Sequence, residues 1–287
     1  MPALSNQKKQ DIISKYIRTG KGRARLAQTL ISPLRRRRDY LSVGRKAFLV
    51  EPLPDGALAT YDKDPNVTAY IVGEEGMNII AVAKSKRVMF PLFEIASNPE
   101  IPLTEIKQRR FDLVQRSVDL GKSAIMAEED RKVFACMDAM AADATNPNPD
   151  LAVTGNLTSN SLIDAFANIM RTNVRPANVF MNAKDYADLL KWDRDTLDIQ
   201  TQAQLLDTGI LATVWGAKIV VSRIVTEGTV YVTGEPEFFG RIPVRTELTV
   251  ISADDPKNRM IGFSMFENLG IGCFNPYSQQ RIVITRV

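Results

Sequence analysis

Four groups of side chains have the types and spacing from which chemistry is commonly built. The densest is cationic: Arg35, Arg36, Arg37 and Arg38, with Lys21, Arg23 and Arg25 upstream. Such a run neutralises phosphates without sequence preference and with salt-dependent affinity, or it pairs with acidic protein surface. No aromatic residues are interleaved with it to stack bases. The second group is Glu128, Glu129 and Asp130, followed by Arg131 and Lys132. Clustered carboxylates can hold a metal or move protons, but in mid-helix beside two cations these read as a solvated face. The third is the pair Cys136 and Cys273, in no CxxC or metal-spaced arrangement. They read as reduced, buried thiols, with a reactive or cross-linking thiol as the alternative. The fourth is glycine-based. Thr19-Gly-Lys-Gly22 lacks the spacing of a phosphate loop, and Gly270-Ile-Gly272 lacks the third glycine of a dinucleotide fingerprint and reads as a strand bend.

The chain has no histidine. That removes every Ser-His-Asp and Cys-His mechanism and the commonest transition-metal ligand. Carboxylate, lysine or tyrosine chemistry survives the exclusion, but no convergent polar motif offers it a centre. No catalytic residue, metal ligand or cofactor is therefore assigned. At 287 residues, 45% hydrophobic and 24% charged, the chain can bury one large or two modest cores. No apolar run approaches the roughly 20 residues that span a bilayer, and the N-terminus is too basic for a signal peptide. A soluble protein made in a cytoplasm, with no membrane partner, is expected. Charge is divided unevenly. Residues 1–46 hold thirteen Lys/Arg against Asp11 and Asp39, a local +11, so the rest of a chain with net charge +4 carries −7. A basic arm on an acidic body suits an arm that meets phosphates or acidic neighbours.

The elements that must position these groups follow from periodicity. In the arm, Ile12, Ile13, Tyr16 and Ile17 sit at helical spacing behind Ser5 or Asn6, and Leu26, Leu30 and Leu34 repeat at steps of four, with Pro33 closing the segment. Two short amphipathic helices are expected, their apolar faces docked on the body or on a neighbouring chain. Residues 47–92 read as an extended two-stranded flap, with turns at Pro54-Asp-Gly56, Asp64-Pro-Asn66 and Gly73-Glu-Glu-Gly76 and strands at 69–72, 77–83 and 86–90. Such a ribbon is barely stable alone and wants a partner surface.

From 103 to 142 the pattern turns helical, with Leu103, Ile106, Leu113, Val114, Ile125, Val133, Phe134, Met137 and Met140 as an apolar stripe. Pro102 suits the first turn, Gly121 offers a bend, and Asn146-Pro-Asn-Pro-Asp150 is the stop. About 40 uninterrupted residues would make a rod of about 60 Å. Asn160 or Ser161 is expected to cap the next helix, which carries Leu162, Ile163, Phe166, Ile169 and Met170. A strand at 179–182 then flows into a helix, Trp215-Gly216 feeds a β-branched strand, and a strand at 229–234 breaks at Gly234-Glu-Pro236. A hairpin of 247–252 with 260–269 turns at Asp254-Asp-Pro-Lys257, and 281–285 closes the chain. Phe238 and Phe239 read as core or interface anchors.

Basic arm, flap, long helix, Pro/Asn break, αβ unit, hairpin and final strand, in that order, resemble the major capsid proteins of tailed bacteriophages, the Hong Kong 97-type capsid fold. Gly73-Glu-Glu-Gly76 before a strand looks like the end of that family's E-loop. Arg175-Pro-Ala-Asn-Val-Phe-Met-Asn182 followed by Lys184-Asp-Tyr-Ala-Asp-Leu is similar to its strand–Asn–helix element. Leu211-Ala-Thr-Val-Trp-Gly-Ala-Lys-Ile-Val-Val-Ser222 is similar to its glycine-then-strand element, and Gly234-Glu-Pro-Glu-Phe to the stretch after the next strand. The likeness covers roughly 45–287, and its specificity lies in the order of the motifs.

The resemblance implies an α+β fold: a basic N-terminal arm at 1–46, an E-loop at 47–92, a peripheral domain with spine helix at 93–146 and 241–269, and an axial domain at 147–240 and 270–287. It implies a non-enzymatic subunit that assembles with itself through pentamers and hexamers into an icosahedral shell around double-stranded DNA, in a virion put together in a host cytoplasm. The implied contacts are DNA, scaffold or neighbouring subunits for the arm cations Lys21, Arg23, Arg25, Arg35, Arg36, Arg37 and Arg38, and neighbouring subunits for the flap residues Tyr61, Lys63 and Tyr70. Forty-six residues before the flap leave no room for the long scaffolding extension of many members, so a separate scaffolding protein or none is expected. A portal is also implied, and a decoration protein stays open. An encapsulin-like nanocompartment shell and, from another class, a histidine-free αβ enzyme are the alternatives.

Overall fold

The computed structural model describes residues 40–63, 86–108, 113–144, 146–192, 213–255 and 257–286. The expected arm helices, the turns at 64–66 and 73–76 and the strands at 69–72 and 77–83 lie outside these residues. The described elements begin with strands β1 (Leu49–Pro52), β2 (Thr60–Asp62), β3 (Arg87–Met89), β4 (Leu92–Ser97) and β5 (Glu100–Pro102). Helices α1 (Leu103–Gln108) and α2 (Leu113–Ala141) follow, then β6 (Leu151–Thr154), α3 (Ser159–Met170), β7 (Pro176–Met181) and α4 (Ala183–Leu189). After these come β8 (Thr213–Val214), β9 (Ala217–Val221), β10 (Thr229–Gly234), α5 (Pro236–Phe239), β11 (Gly240–Ser252), β12 (Met260–Gly270), β13 (Gly272–Cys273) and β14 (Gln279–Thr285). The fold is α+β, as expected.

The chain divides into two compact units. The larger comprises Leu41–Ile95, Met126–Thr249 and Phe266–Val287. Its central sheet has the order β6-β14-β10-β7-β9-β8, with β10 antiparallel to both β7 and β14. Side chains along a strand alternate between faces, and here each face has its own core. Val179, Met181, Val230, Val232, Ile282 and Ile284 pack with Leu162, Phe166 and Ile169 of α3. Their sequence neighbours Phe180 and Tyr231 turn the other way, onto Phe134 of α2, with ring centroids 5.8 and 5.7 Å away. A sheet buried on both faces explains why β7 and β10 are almost uninterruptedly apolar.

Local chemistry explains the boundaries. Asn182 Oδ1 accepts from the Lys184 amide at 3.2 Å and so caps α4, while its Nδ2 donates to the Val225 carbonyl at 2.8 Å. For α3 the cap is Thr158, two residues before the expected Asn160, accepting from the Ser161 amide at 3.3 Å. Asn160 and Ser161 are helical, because Thr158 already holds the extended backbone that a cap needs. At the far end of α2, Asn146 Nδ2 donates to the Ala141 carbonyl at 3.2 Å and satisfies one orphaned acceptor. Trp215 and Gly216 both have positive φ, at 45° and 87°, and make the two-residue turn joining β8 to β9. The C-terminus is tied down by Arg286, whose Nη2 lies 2.5 Å from Asp185 Oδ1 and 3.0 Å from Asp188 Oδ2. Burial alone would push the Asp188 carboxyl up, but the hydrogen bonds from Arg286, the Leu157 amide and Lys191 hold it below the usual carboxylate range.

In the same unit β2 and β3, both within residues 47–92, are antiparallel with Thr60 opposite Met89 and Asp62 opposite Arg87. The segment before them goes elsewhere: β1 runs parallel to β11, Leu49 opposite Arg241 and Pro52 opposite Val244.

The smaller unit contains Ala96–Ile125 and Val250–Met265. There β5 is antiparallel to β12, Ile101 opposite Ile261, and the Leu103 amide at the head of α1 donates to the Arg259 carbonyl at 3.0 Å. Gly121 lies inside α2, where a Cβ would meet Met265 Cε at 2.1 Å, so its smallness serves close packing. The expected single rod is described as α1 and α2, with 109–112 outside the described residues. The first hairpin strand, β11, begins at Gly240, seven residues before the expected 247.

Candidate functional site

One cluster of charged side chains forms where the arm's last residues meet the body. Residues 44–47 form a single 3-10 turn, and the two backbone amides at its head, Val43 and Gly44, point toward α2. Asp130 receives them: its Oδ2 accepts from the Val43 amide at 2.9 Å, and its Oδ1 accepts from the Gly44 amide at 2.9 Å and the Ser42 hydroxyl at 2.8 Å. A Cβ on Gly44 would stand 2.7 Å from that same Oδ1, so the position has to be glycine for the carboxylate to come this close. Arg45 follows. Its Nε donates to Glu129 Oε1 at 2.6 Å, its Nη1 to Glu247 at 3.3 Å and its Nη2 to Glu267 at 3.4 Å.

This corrects the reading of Glu128, Glu129 and Asp130 as one solvated face. Glu128 does face outward, pairing with Arg131 at 2.5 Å, but Glu129 is 1% exposed and Asp130 fully buried. A helix turns about 100° per residue, so three consecutive carboxylates cannot share a face, and here two of them point inward. Glu267, 2% exposed, adds a third buried carboxylate. Burial raises the Glu129 carboxyl, against the pull of Arg45. It pushes Glu267 up to about 7, helped by the charges of Glu129 and Glu247 and opposed by Arg45. One guanidinium thus serves three carboxylates, and Glu267 Oε1 has no hydrogen-bond partner among the described residues. Such a cluster fixes chain geometry. It contains no nucleophile, and no group of side chains suited to holding a metal ion occurs among the described residues.

The arm cations Lys21, Arg23, Arg25 and Arg35 to Arg38 lie outside the described residues, as does Tyr70. Tyr61 and Lys63 are described. Tyr61 packs its ring 5.3 Å from that of Phe90, with the Arg241 guanidinium 5.1 Å over it. Burial and Glu51 raise its hydroxyl pKa above the ordinary value, with Arg241 opposing. Arg241 in turn bonds Glu51. Lys63 is exposed, its amide bonded to the Lys86 carbonyl at 2.8 Å. Beside the β2–β3 pair stand two large apolar side chains left in solvent, Leu58 at 69% and Met89 at 61% exposure. Phe239 is buried in the core behind the sheet and Phe238 is half exposed, so the pair is divided between core and surface.

Sequence reasoning missed Arg45 and Glu267 altogether, because their partners lie 84 and 222 residues away along the chain. The one local signal was Ser42-Val43-Gly44, a short polar–glycine stretch of the kind that offers free amides to a carboxylate.

Comparison with known proteins gives a consistent picture. A family model described as phage capsid protein matches residues 101–282. No curated protein matches the sequence. Among solved structures, the mature capsid of bacteriophage PhiM1 superposes with a TM-score of 0.68 at 12% identity, covering 90% of this chain and 91% of that one. The capsid of cyanophage P-SCSP1u gives 0.68 at 12%, covering 90% and 93%. The structure from Mycobacterium phage Che8 gives 0.63 at 15%, covering 88% and 97%. At such identities the likeness establishes the fold.

Proposed function

The chain belongs to the phage capsid protein family, and from that premise we propose that it is the major capsid subunit of a tailed-phage-like virion. In this reading copies associate through rings of five and six into a closed icosahedral shell around double-stranded DNA. The observation that carries it is the family match over 101–282, within a fold shared along nine-tenths of the chain. The geometry supports it physically. Beside the antiparallel pair β2–β3 the apolar side chains of Leu58 and Met89 stand mostly in solvent, and a neighbouring copy would cover them. Stability of the assembled form would then come in large part from contacts between copies.

The basic arm is read as a contact segment of the shell subunit. Its root is held by Asp130 and Glu129, and the cations Lys21, Arg23, Arg25 and Arg35 to Arg38 precede that anchor. Non-specific contact with packaged DNA, a separate scaffolding protein or adjacent subunits suits their chemistry. A portal, and a decoration protein where the lattice carries one, complete the partners, with assembly in the host cytoplasm.

The test is negative-stain electron microscopy of the purified chain, alone and after co-expression with its neighbouring genes. Closed, uniform shells are expected, holding nuclease-protected DNA when packaging genes are supplied. A monomer or small oligomer under every condition would overturn the reading, and shells filled with protein cargo would convert it to a nanocompartment. Alanine at Arg35, Arg36, Arg37 and Arg38 is expected to leave shells intact with less DNA. Failed assembly would assign those arginines to contacts between subunits.

A further inference from the structure

The two cysteines, 137 residues apart in sequence, meet in space: Cys136 Sγ on α2 lies 3.3 Å from Cys273 Sγ on β13. We propose that Cys136 and Cys273 are a built cross-linking site, closing to an intramolecular disulfide when the protein meets a small-molecule disulfide of the glutathione class. A sulfur–sulfur bond is about 2.05 Å long, so closure asks for roughly 1.2 Å of approach. Neither thiol is sealed in. Both are half-buried, less enclosed than the buried thiols expected from the sequence.

The surroundings divide the labour. The hydrogen bond shared with Cys273 draws the Cys136 thiol down to about 7, outweighing burial. The same bond, with burial, holds Cys273 well above its ordinary value, so Cys136 is the attacking sulfur of the pair. Thiolate is the attacking species in exchange. Cys136 sulfur therefore attacks one sulfur of the oxidant, and a first glutathione thiolate leaves. Cys273 gives up its proton to that thiolate, its sulfur attacks Cys136 sulfur, and the second glutathione leaves and is protonated from water. Two protein thiols are oxidised and one glutathione disulfide is reduced to two thiols.

The product joins the body of α2 to a strand whose register is already set, since Cys273 is opposite Gly240 of β11. The bond would thus staple the helix to the sheet edge across the larger unit's own core, where Phe134 and Met137 of α2 pack with Phe239 and Ile242. It would stay open in a reducing cytoplasm and close on transfer to oxidising surroundings. The chemistry belongs to the single chain and does not rest on the capsid reading.

The purified full chain is incubated with glutathione disulfide, quenched with N-ethylmaleimide and examined by intact mass and peptide mapping. The expected product has a mass lower by two hydrogens, no maleimide adduct and one peptide pair linked through Cys136 and Cys273, reversed by dithiothreitol. Its thermal midpoint rises by several degrees over the reduced form. In Cys273→Ser, Cys136 should instead retain a stable glutathione adduct, with no rise. Two alkylated thiols after oxidation, a persistent mixed disulfide on the unaltered chain, or a link between copies would each overturn the proposal. The mapping uses the unaltered chain, so it stands even if a variant fails to fold.

Discussion

Arg45 Nε lies 2.6 Å from Glu129 Oε1, so the last cation but one of the basic arm is bound to the buried flank of α2. The pair does not stand alone, because Glu267 and Glu247 share the same guanidinium. Removing a shared cation leaves carboxylates buried without compensation, which costs far more than an exposed ion pair contributes. Arg45→Met is expected to lose about 3–5 kcal/mol of stability, read by urea unfolding of the unassembled chain. Adding Glu129→Gln and Glu267→Gln should restore most of it. A loss under about 1 kcal/mol, the range of surface pairs, would mean that the cluster is solvated in solution.

Glu267 gives that cluster a pH dependence of defined sign. Its folded-state pKa, about 7, stands above the ordinary 4.5, so between those values the folded chain binds more protons than the unfolded one. Stability should therefore fall as pH rises from about 4.5 to 7 and level off above, the reverse of a salt-bridged carboxylate. Glu267→Gln mimics the protonated form. It is expected to gain about 1–3 kcal/mol at pH 8 and to flatten that slope, seen as thermal midpoints across a pH series. An unchanged slope would place the titration on another group.

What the sequence shows and hides follows from range. Asn182 was legible because strand, cap and helix are contiguous, and the cap is satisfied two residues on. The alternation of Val179, Phe180 and Met181 was legible too, since period two is a local property. Glu129 and Asp130 were not. Their neighbours Arg131 and Lys132 argue for water, and only a turn 86 residues earlier argues for burial. The parallel pairing of β1 with β11 hid for the same reason, because nothing near Leu49 encodes Arg241. The thiol pair is the same case, a relationship made by the fold between residues without local signature.

Two glycines of the smaller unit separate clash from cost. A Cβ on Gly121 would meet Met265 Cε at 2.1 Å, and one on Gly262 would meet the Ala253 carbonyl oxygen at 2.3 Å. The first contact is nearer but yields, because a methionine terminus can swing aside, and alanine inside a helix returns up to about 1 kcal/mol of propensity. The second neighbour is backbone, whose amide accepts no such shift: the Ala253 amide is bonded to the Gly262 carbonyl at 2.9 Å. Gly262→Ala should cost about 2–3 kcal/mol and Gly121→Ala under about 1 kcal/mol in matched denaturant titrations. The opposite ranking would show that distance alone governs the penalty.

The β2–β3 pair offers a variant that separates folding from assembly. Leu58 and Met89 flank Ala59, whose carbonyl accepts from the Phe90 amide at 2.9 Å, so the two exposed side chains sit at one end of the same strand pair. Tyr61 and Phe90 close over each other beside Arg241, which means the strand pair is held without help from Leu58 or Met89. Lysine at both positions should therefore change subunit stability by no more than about 0.5 kcal/mol, the usual range for surface substitutions. Across a contact between copies the same change buries two cations in an apolar seam, and association should fail. The expected result is a folded chain with an unaltered melting curve that forms no shells by sedimentation and electron microscopy. Shells formed at the unaltered yield would remove the β2–β3 pair from the contacts that build the lattice.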